Sequence, residues 1–201
     1  MNIIVTGAAG FIGSEIALRL LREGHSVTGI DSFTAYYDVK LKEDRAARLT
    51  AFPNFRLARS SVEDTATMER VFDRVKPDVI LHFAAQAGVR YSLEHPRDYI
   101  DANVVGSFNI IDLARRHKAR HLILASTSSA YGANQKFPFE ERDSAPYPLT
   151  IYAATKLAAE LIAHSHAHLY GVPTTALRFF SVYGPWGRPD MAFFLFTDKI
   201  F

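Results

Sequence analysis

Thr6-Gly7-Ala8-Ala9-Gly10-Phe11-Ile12-Gly13 lies between a short β-branched run, Ile3 to Thr6, and a helical pattern, Phe11 to Glu23. At such a junction each glycine has its own job. One permits a tight turn, one lets backbone approach a phosphate, and one lets the helix pack closely, while the helix N-terminus offers unpaired N–H groups and partial positive charge. Strand, glycine loop and helix in that order predict a dinucleotide pyrophosphate site contacted by Gly7, Gly10, Phe11, Ile12 and Gly13.

The next strand pattern ends at Asp31, where a carboxylate would accept hydrogen bonds from the adenosine ribose and repel a 2′-phosphate. Ser32, Phe33, Thr34 and Ala35 supply no cation for such a phosphate, so NAD is favoured over NADP. A turn-capping role is the alternative for Asp31.

Further apolar runs recur at Val27 to Asp31, Phe55 to Ala58, Val79 to Phe83, His121 to Ser126 and Thr174 to Phe179. They read as buried strands. Helical patterns fall between them, at Val39 to Ala51, Ala66 to Val75, Arg97 to His117 and Tyr152 to Leu169, with Gly24 and Gly171 as stop signals. Regular alternation with short links predicts right-handed crossovers and an α/β fold, a doubly wound parallel sheet of Rossmann type with helices on both faces. The stretch from Ala133 to Ile151 is longer and carries Pro138, Pro146 and Pro148; it is either a wall of the active site or a surface excursion.

A chain of 201 residues with 48% hydrophobic content supplies one domain with a substantial core. The net charge of +2 is small and cations such as Arg19, Lys40, Lys42 and Arg115 are scattered, which points away from nucleic acid and membrane surfaces and toward a small-molecule partner. Without cysteine there is no thiol chemistry or disulfide frame, and a cytoplasmic setting is expected. His164, His166 and His168 make no metal site by spacing, because only His164 and His168 share a helical face.

Tyr152-Ala153-Ala154-Thr155-Lys156 puts a phenol and an ammonium on one helical face, where the positive charge would favour the phenolate. Ser126-Thr127-Ser128-Ser129-Ala130-Tyr131-Gly132 sets hydroxyls at the carboxyl edge of the sheet, where doubly wound folds bind ligands. Together with the glycine loop, with His82-Phe83-Ala84-Ala85, with Asn103, and with Arg178-Phe179-Phe180-Ser181-Val182-Tyr183-Gly184, these stretches resemble the extended short-chain dehydrogenase/reductase family of NAD-dependent sugar-nucleotide epimerases and dehydratases.

The resemblance implies Thr127, Tyr152 and Lys156 as catalytic residues. It implies further cofactor contacts from Ser61, Val62, Ala84, Ala85, Asn103, Ser126, Tyr152, Lys156 and Phe179, with Ser61 standing where relatives carry an adenine-binding acid. Dehydratases of this family follow the threonine with Asp-Glu, and related decarboxylases place a glutamate two residues on; Ser128 and Ser129 cannot act as such acids or bases. Epimerisation through a transient 4-keto sugar is the surviving chemistry.

Ala85 to Ser92 and Gly184 to Ala192 resemble stretches of UDP-glucuronate 4-epimerases. A C6 carboxylate calls for a fixed guanidinium, and Arg188 is expected to supply it, with Arg90, Ser128, Ser129 and Ser181 as further substrate contacts. The expected substrate is a UDP-sugar, most closely UDP-glucuronate. A UDP-glucose 4-epimerase and a truncated, non-catalytic NAD-binding module stay open. By the same resemblance, residues 1–201 form the NAD-binding domain, about 185–201 begin a substrate-binding part that relatives continue, and the helices at 97–117 and 152–169 pair in a homodimer.

Overall fold

The computed structural model describes residues 1–143 and 147–200, so Pro146 lies outside the described residues. Six strands form one parallel sheet: β1 (Asn2–Thr6), β2 (Ser26–Asp31), β3 (Phe55–Arg59), β4 (Val79–His82), β5 (His121–Thr127) and β6 (Thr174–Phe179). Their spatial order is β3-β2-β1-β4-β5-β6. The order reverses between β1 and β4, and a crevice opens at that point beyond the carboxyl ends of the strands.

The helices are α1 (Phe11–Arg22), α2 (Val39–Thr50), α3 (Thr65–Val75), α4 (Tyr91–Glu94), α5 (Pro96–Tyr99), α6 (Ser107–Arg116), α7 (Ile151–Tyr170) and α8 (Ala192–Ile200). Two apolar layers sandwich the sheet. Ile3, Val5 and Val27 pack with Ala17, Leu18, Leu21 and Leu49 on one face. Ile4, Ile80, Leu122 and Leu124 pack with Phe72, Ile110, Ile111 and Ala159 on the other. Successive residues of β1 thus serve opposite layers, as the two-residue strand period requires.

The predicted strands and helices match these elements closely, except that the short α4 has no predicted counterpart and one predicted helix is broken up. The helix expected from Arg97 to His117 is instead α5, a π-helical stretch from Ile100–Gly106, and α6. Asn103 lies within the π-helical stretch with its side chain buried. Gly24 (φ +84°) and Gly171 (φ +72°) occupy left-handed positions just past α1 and α7, as their stop-signal role requires. Among the described residues no helix is long and apolar enough to cross a membrane.

Candidate active site

The glycine loop leaves β1 at Thr6 and enters α1 at Phe11. Gly7 adopts φ +69°, and a Cβ there would stand 2.8 Å from the backbone of Phe83 and Ala84. At Gly13 a Cβ would come within 2.1 Å of the Gly7 carbonyl oxygen. Two glycines are therefore required by backbone contacts alone. The N–H groups of Gly7 and Ala8 donate to the Ile30 carbonyl at 2.7 and 3.2 Å, that of Ala9 to Asp31 and that of Gly10 to the Gly7 carbonyl at 2.9 Å, so the donors left for a phosphate are those of the first turn of α1.

Asp31 closes the loop from the second strand. Its Oδ2 accepts from the Ala9 N–H at 2.9 Å and its Oδ1 from the Phe33 N–H at 2.8 Å. Both turn capping and ribose binding remain chemically open to it, since each carboxylate oxygen accepts more than one hydrogen bond. Residues 32 to 35 bring no cation, but one reaches this end of the crevice from α2. Lys42 of α2 is buried, donates to the Thr34 carbonyl and hydroxyl at 2.8 and 3.0 Å, and lines the cleft.

The crevice is a cleft of about 1400 Å³. Gly7, Gly10, Phe11, Ile12, Gly13 and Asp31 line its first part, with Ser61 and Val62 beside them. Ala84, Ala85, Ser126, Lys156 and Phe179 line its middle, and Thr127 and Tyr152 meet there. Arg90, Ser128, Ser129, Ser181 and Arg188 line the remainder. Every predicted site residue but one thus borders this single space.

The exception is Asn103. Its Oδ1 accepts from the Gln86 N–H at 2.8 Å, and its Nδ2 donates to the Gln86 carbonyl and the Thr155 hydroxyl, each at 3.1 Å. It does not line the cleft, and its side chain holds the segment after β4 against α7. Ser126 needs a smaller correction. Its hydroxyl donates to Glu160, which also takes a 2.8 Å ion pair from Arg178, leaving its backbone and Cβ for the cleft.

Thr150 caps α7 by accepting from the Ala153 N–H at 3.1 Å, which fixes where the first turn begins. Tyr152 then faces Thr127, with Tyr99 edge-on to its ring at 6.1 Å between centroids. Burial pushes the phenol above its ordinary value; the Thr127 hydroxyl and the charge of Arg188 pull it back only in part. Lys156 is fully buried, and burial brings it down to about 8 against the supporting charge of Glu160. At Tyr152 desolvation thus outweighs the groups that favour the phenolate.

Behind Lys156, His82 is wholly buried between the Thr6 hydroxyl at 2.7 Å and the Ser107 hydroxyl at 3.0 Å. Burial, aided by the charge of Lys156, depresses it to about 3, so the ring is neutral. The Thr6 hydroxyl also accepts from the Ala84 N–H at 3.1 Å, tying the ends of β1 and β4 together beneath the cleft.

At the far end, Arg188 donates through Nε and Nη2 to the two Asp190 oxygens at 3.0 and 2.7 Å. Asp190 also accepts from the Tyr36 hydroxyl at 2.9 Å. Sequence reasoning missed Tyr36 and the fully buried Arg45, although Lys42, Arg45, Ala46 and Leu49 share one stripe of α2. That stripe was the available signal. The stretch after Gly132 packs over the Tyr131 and Phe180 rings, with Phe139 stacked on Tyr131 at 4.6 Å, and none of its described residues lines the cleft. Its reading as an active-site wall is not borne out for those residues. Among the described residues no three His, Cys, Asp or Glu side chains gather as metal ligands.

Comparison with known proteins agrees with this geometry. A probable UDP-glucuronate 4-epimerase of Rhizobium meliloti (strain 1021) is 58% identical over 200 residues, covering all of this chain and 59% of that protein. The crystal structure of UDP-glucuronic acid 4-epimerase from Bacillus cereus, in complex with UDP-glucuronic acid and NAD, superposes with a TM-score of 0.91 at 34% identity, covering 100% of this chain and 63% of that one. UDP-glucose 4-epimerase of Thermotoga maritima with UDP-glucose gives a TM-score of 0.84 at 34% identity, covering 95% and 59%. The chain therefore spans about three fifths of the length of these relatives. The profile of the NAD dependent epimerase/dehydratase family matches residues 3–200, and the chain belongs to that family.

Proposed function

We propose that the full-length protein carrying this chain interconverts UDP-glucuronate and UDP-galacturonate by inversion at C4. The observation that carries this reading is that Tyr152 and Arg188 line one cleft. A hexuronate places its reacting C4 hydroxyl and its C6 carboxylate on one small ring, so it needs a proton acceptor and a carboxylate grip within that reach. The Rhizobium and Bacillus relatives, named as acting on or binding UDP-glucuronate, support the substrate.

The glycine loop, Asp31, Ser61 and Val62 fit the adenosine and pyrophosphate of NAD, as the backbone packing around Gly7 and Gly13 indicates. NAD, when bound, supplies the reversible hydride transfer that inversion at C4 requires. Tyr152 removes and later returns the C4 hydroxyl proton, directly or through Thr127. Lys156 holds the nicotinamide ribose and keeps a positive charge beneath the phenol. Ser128 and Ser129 hydrogen-bond the sugar and, lacking an acidic proton, leave elimination without a catalyst.

A homodimer through the 97–117 and 152–169 segments belongs to the same reading. Val105 and Phe108 on one segment and Leu161 and Leu169 on the other are exposed apolar residues that such pairing would cover. The test of function is to incubate the full-length protein with UDP-glucuronate or UDP-glucose and identify products by NMR. UDP-galacturonate from the first alone is expected; conversion of UDP-glucose alone would overturn the carboxylate assignment.

A further inference from the structure

Arg45 is a fully buried cation with no carboxylate partner among the described residues. Its donors are spent on neutral oxygens from three segments. Nε and Nη2 reach the Trp186 carbonyl at 3.1 and 2.5 Å, Nη2 also reaches the Gly187 carbonyl at 3.1 Å, and Nη1 reaches the Tyr37 hydroxyl at 2.6 Å and the Ala9 carbonyl at 3.3 Å. Burying a guanidinium on carbonyls is costly unless every N–H is placed, so its geometry is tightly set.

Two of the three carbonyls it binds belong to the residues immediately before Arg188. On the other side, Tyr36, one residue from Tyr37, donates to Asp190, which in turn holds the Nε and Nη2 edge of Arg188. The backbone before Arg188 and the counter-ion after it are thus both anchored from the segment around α2. With Nε and one Nη2 proton committed to Asp190, the end formed by Nη1 and the second Nη2 proton is left to receive a planar anion. The Ala9 peptide links this assembly to the dinucleotide loop, its N–H on Asp31 and its carbonyl on Arg45.

We propose that Arg45 and Tyr36 are positioning residues that aim Arg188 at the sugar carboxylate and so determine selectivity for a uronate over a neutral hexose. This rests on the proposed UDP-glucuronate reading. Discrimination by charge requires the guanidinium to meet the carboxylate end-on, and a displaced or rotated Arg188 would still carry its charge but lose the bidentate geometry.

The test uses the NAD-saturated full-length protein and measures affinity for UDP, UDP-glucose and UDP-glucuronate by calorimetry. In the unaltered protein UDP-glucuronate must bind more tightly than UDP-glucose; absence of that preference overturns the substrate reading itself. Given the preference, Arg45→Lys, which keeps the charge but cannot span the four acceptors, should weaken UDP-glucuronate roughly tenfold while UDP and UDP-glucose change less than about twofold. Tyr36→Phe, which removes one hydroxyl, is the milder variant should Arg45→Lys fail to fold, and should cut the same preference roughly threefold. Equal weakening of all three ligands in either folded variant, or an unchanged preference, would overturn the positioning role and leave the substrate reading intact.

Discussion

Tyr152 and Lys156 lie one turn apart on α7, and burial moves them in opposite directions: the phenol is pushed up and the ammonium down to about 8. Their ordinary order is thereby reversed, and at neutral pH both protons stay on. A base is needed for C4 chemistry, so a further positive charge has to arrive with the cofactor. In NAD-free protein the absorbance difference between wild type and Tyr152→Phe should show the phenol less than half ionised at pH 10, the ordinary tyrosine value being 10.0. NAD should bring the phenolate band down by roughly one pH unit or more. A phenolate titrating near neutrality without NAD would show that Lys156 alone sets the base.

The Thr127 hydroxyl draws the Tyr152 phenol downward. Thr127→Val should lower kcat roughly 10- to 100-fold with NAD affinity unchanged, and Thr127→Ser should restore most of it. Steady-state kinetics with UDP-glucuronate check this; a serine variant as slow as the valine variant would point to the methyl group instead.

His82 is held near 3 in the folded protein against an ordinary value of 6.5, chiefly by burial. The unfolded chain binds the proton first as pH falls, so this residue's contribution is complete above about 6.5 and is lost on acidification, at roughly 1.4 kcal/mol per pH unit between those values. Urea midpoints for wild type should fall more steeply between pH 6.5 and 4.5 than those for His82→Gln. Parallel profiles would contradict the burial of a neutral ring.

Gly13→Ala forces a methyl to 2.1 Å from the Gly7 carbonyl oxygen. The loop must move, and NAD affinity should drop at least roughly tenfold. Calorimetric titration with NAD checks it; unchanged affinity would remove the loop from the cofactor site.

The sheet was legible because its strands are short β-branched runs separated by well-punctuated helices. The glycine loop was legible because strand, glycines and helix occur together. The π-helical stretch was not, since Ile100 to Gly106 keeps a helical composition, and Asn103 was given to the cofactor because its turn inward toward Gln86 has no sequence mark. Arg45 and Lys42 escaped because cations are ordinarily placed in solvent, yet their three-residue spacing and their register with Leu49 put them on the buried stripe of α2. Ser126 shows the same limit: position at the sheet edge was readable, whereas the Glu160 and Arg178 pairing that engages its hydroxyl is set by residues far away in sequence.

Inversion at C4 is expected to proceed without loss of the hydrogen that C4 carries. It is tested by giving the full-length protein UDP-glucuronate deuterated at C4 in ordinary water and following the product by NMR. UDP-galacturonate retaining deuterium at C4, with Tyr152→Phe forming none while still binding NAD, is the expected result. Deuterium lost to solvent, or full turnover by Tyr152→Phe, would contradict it.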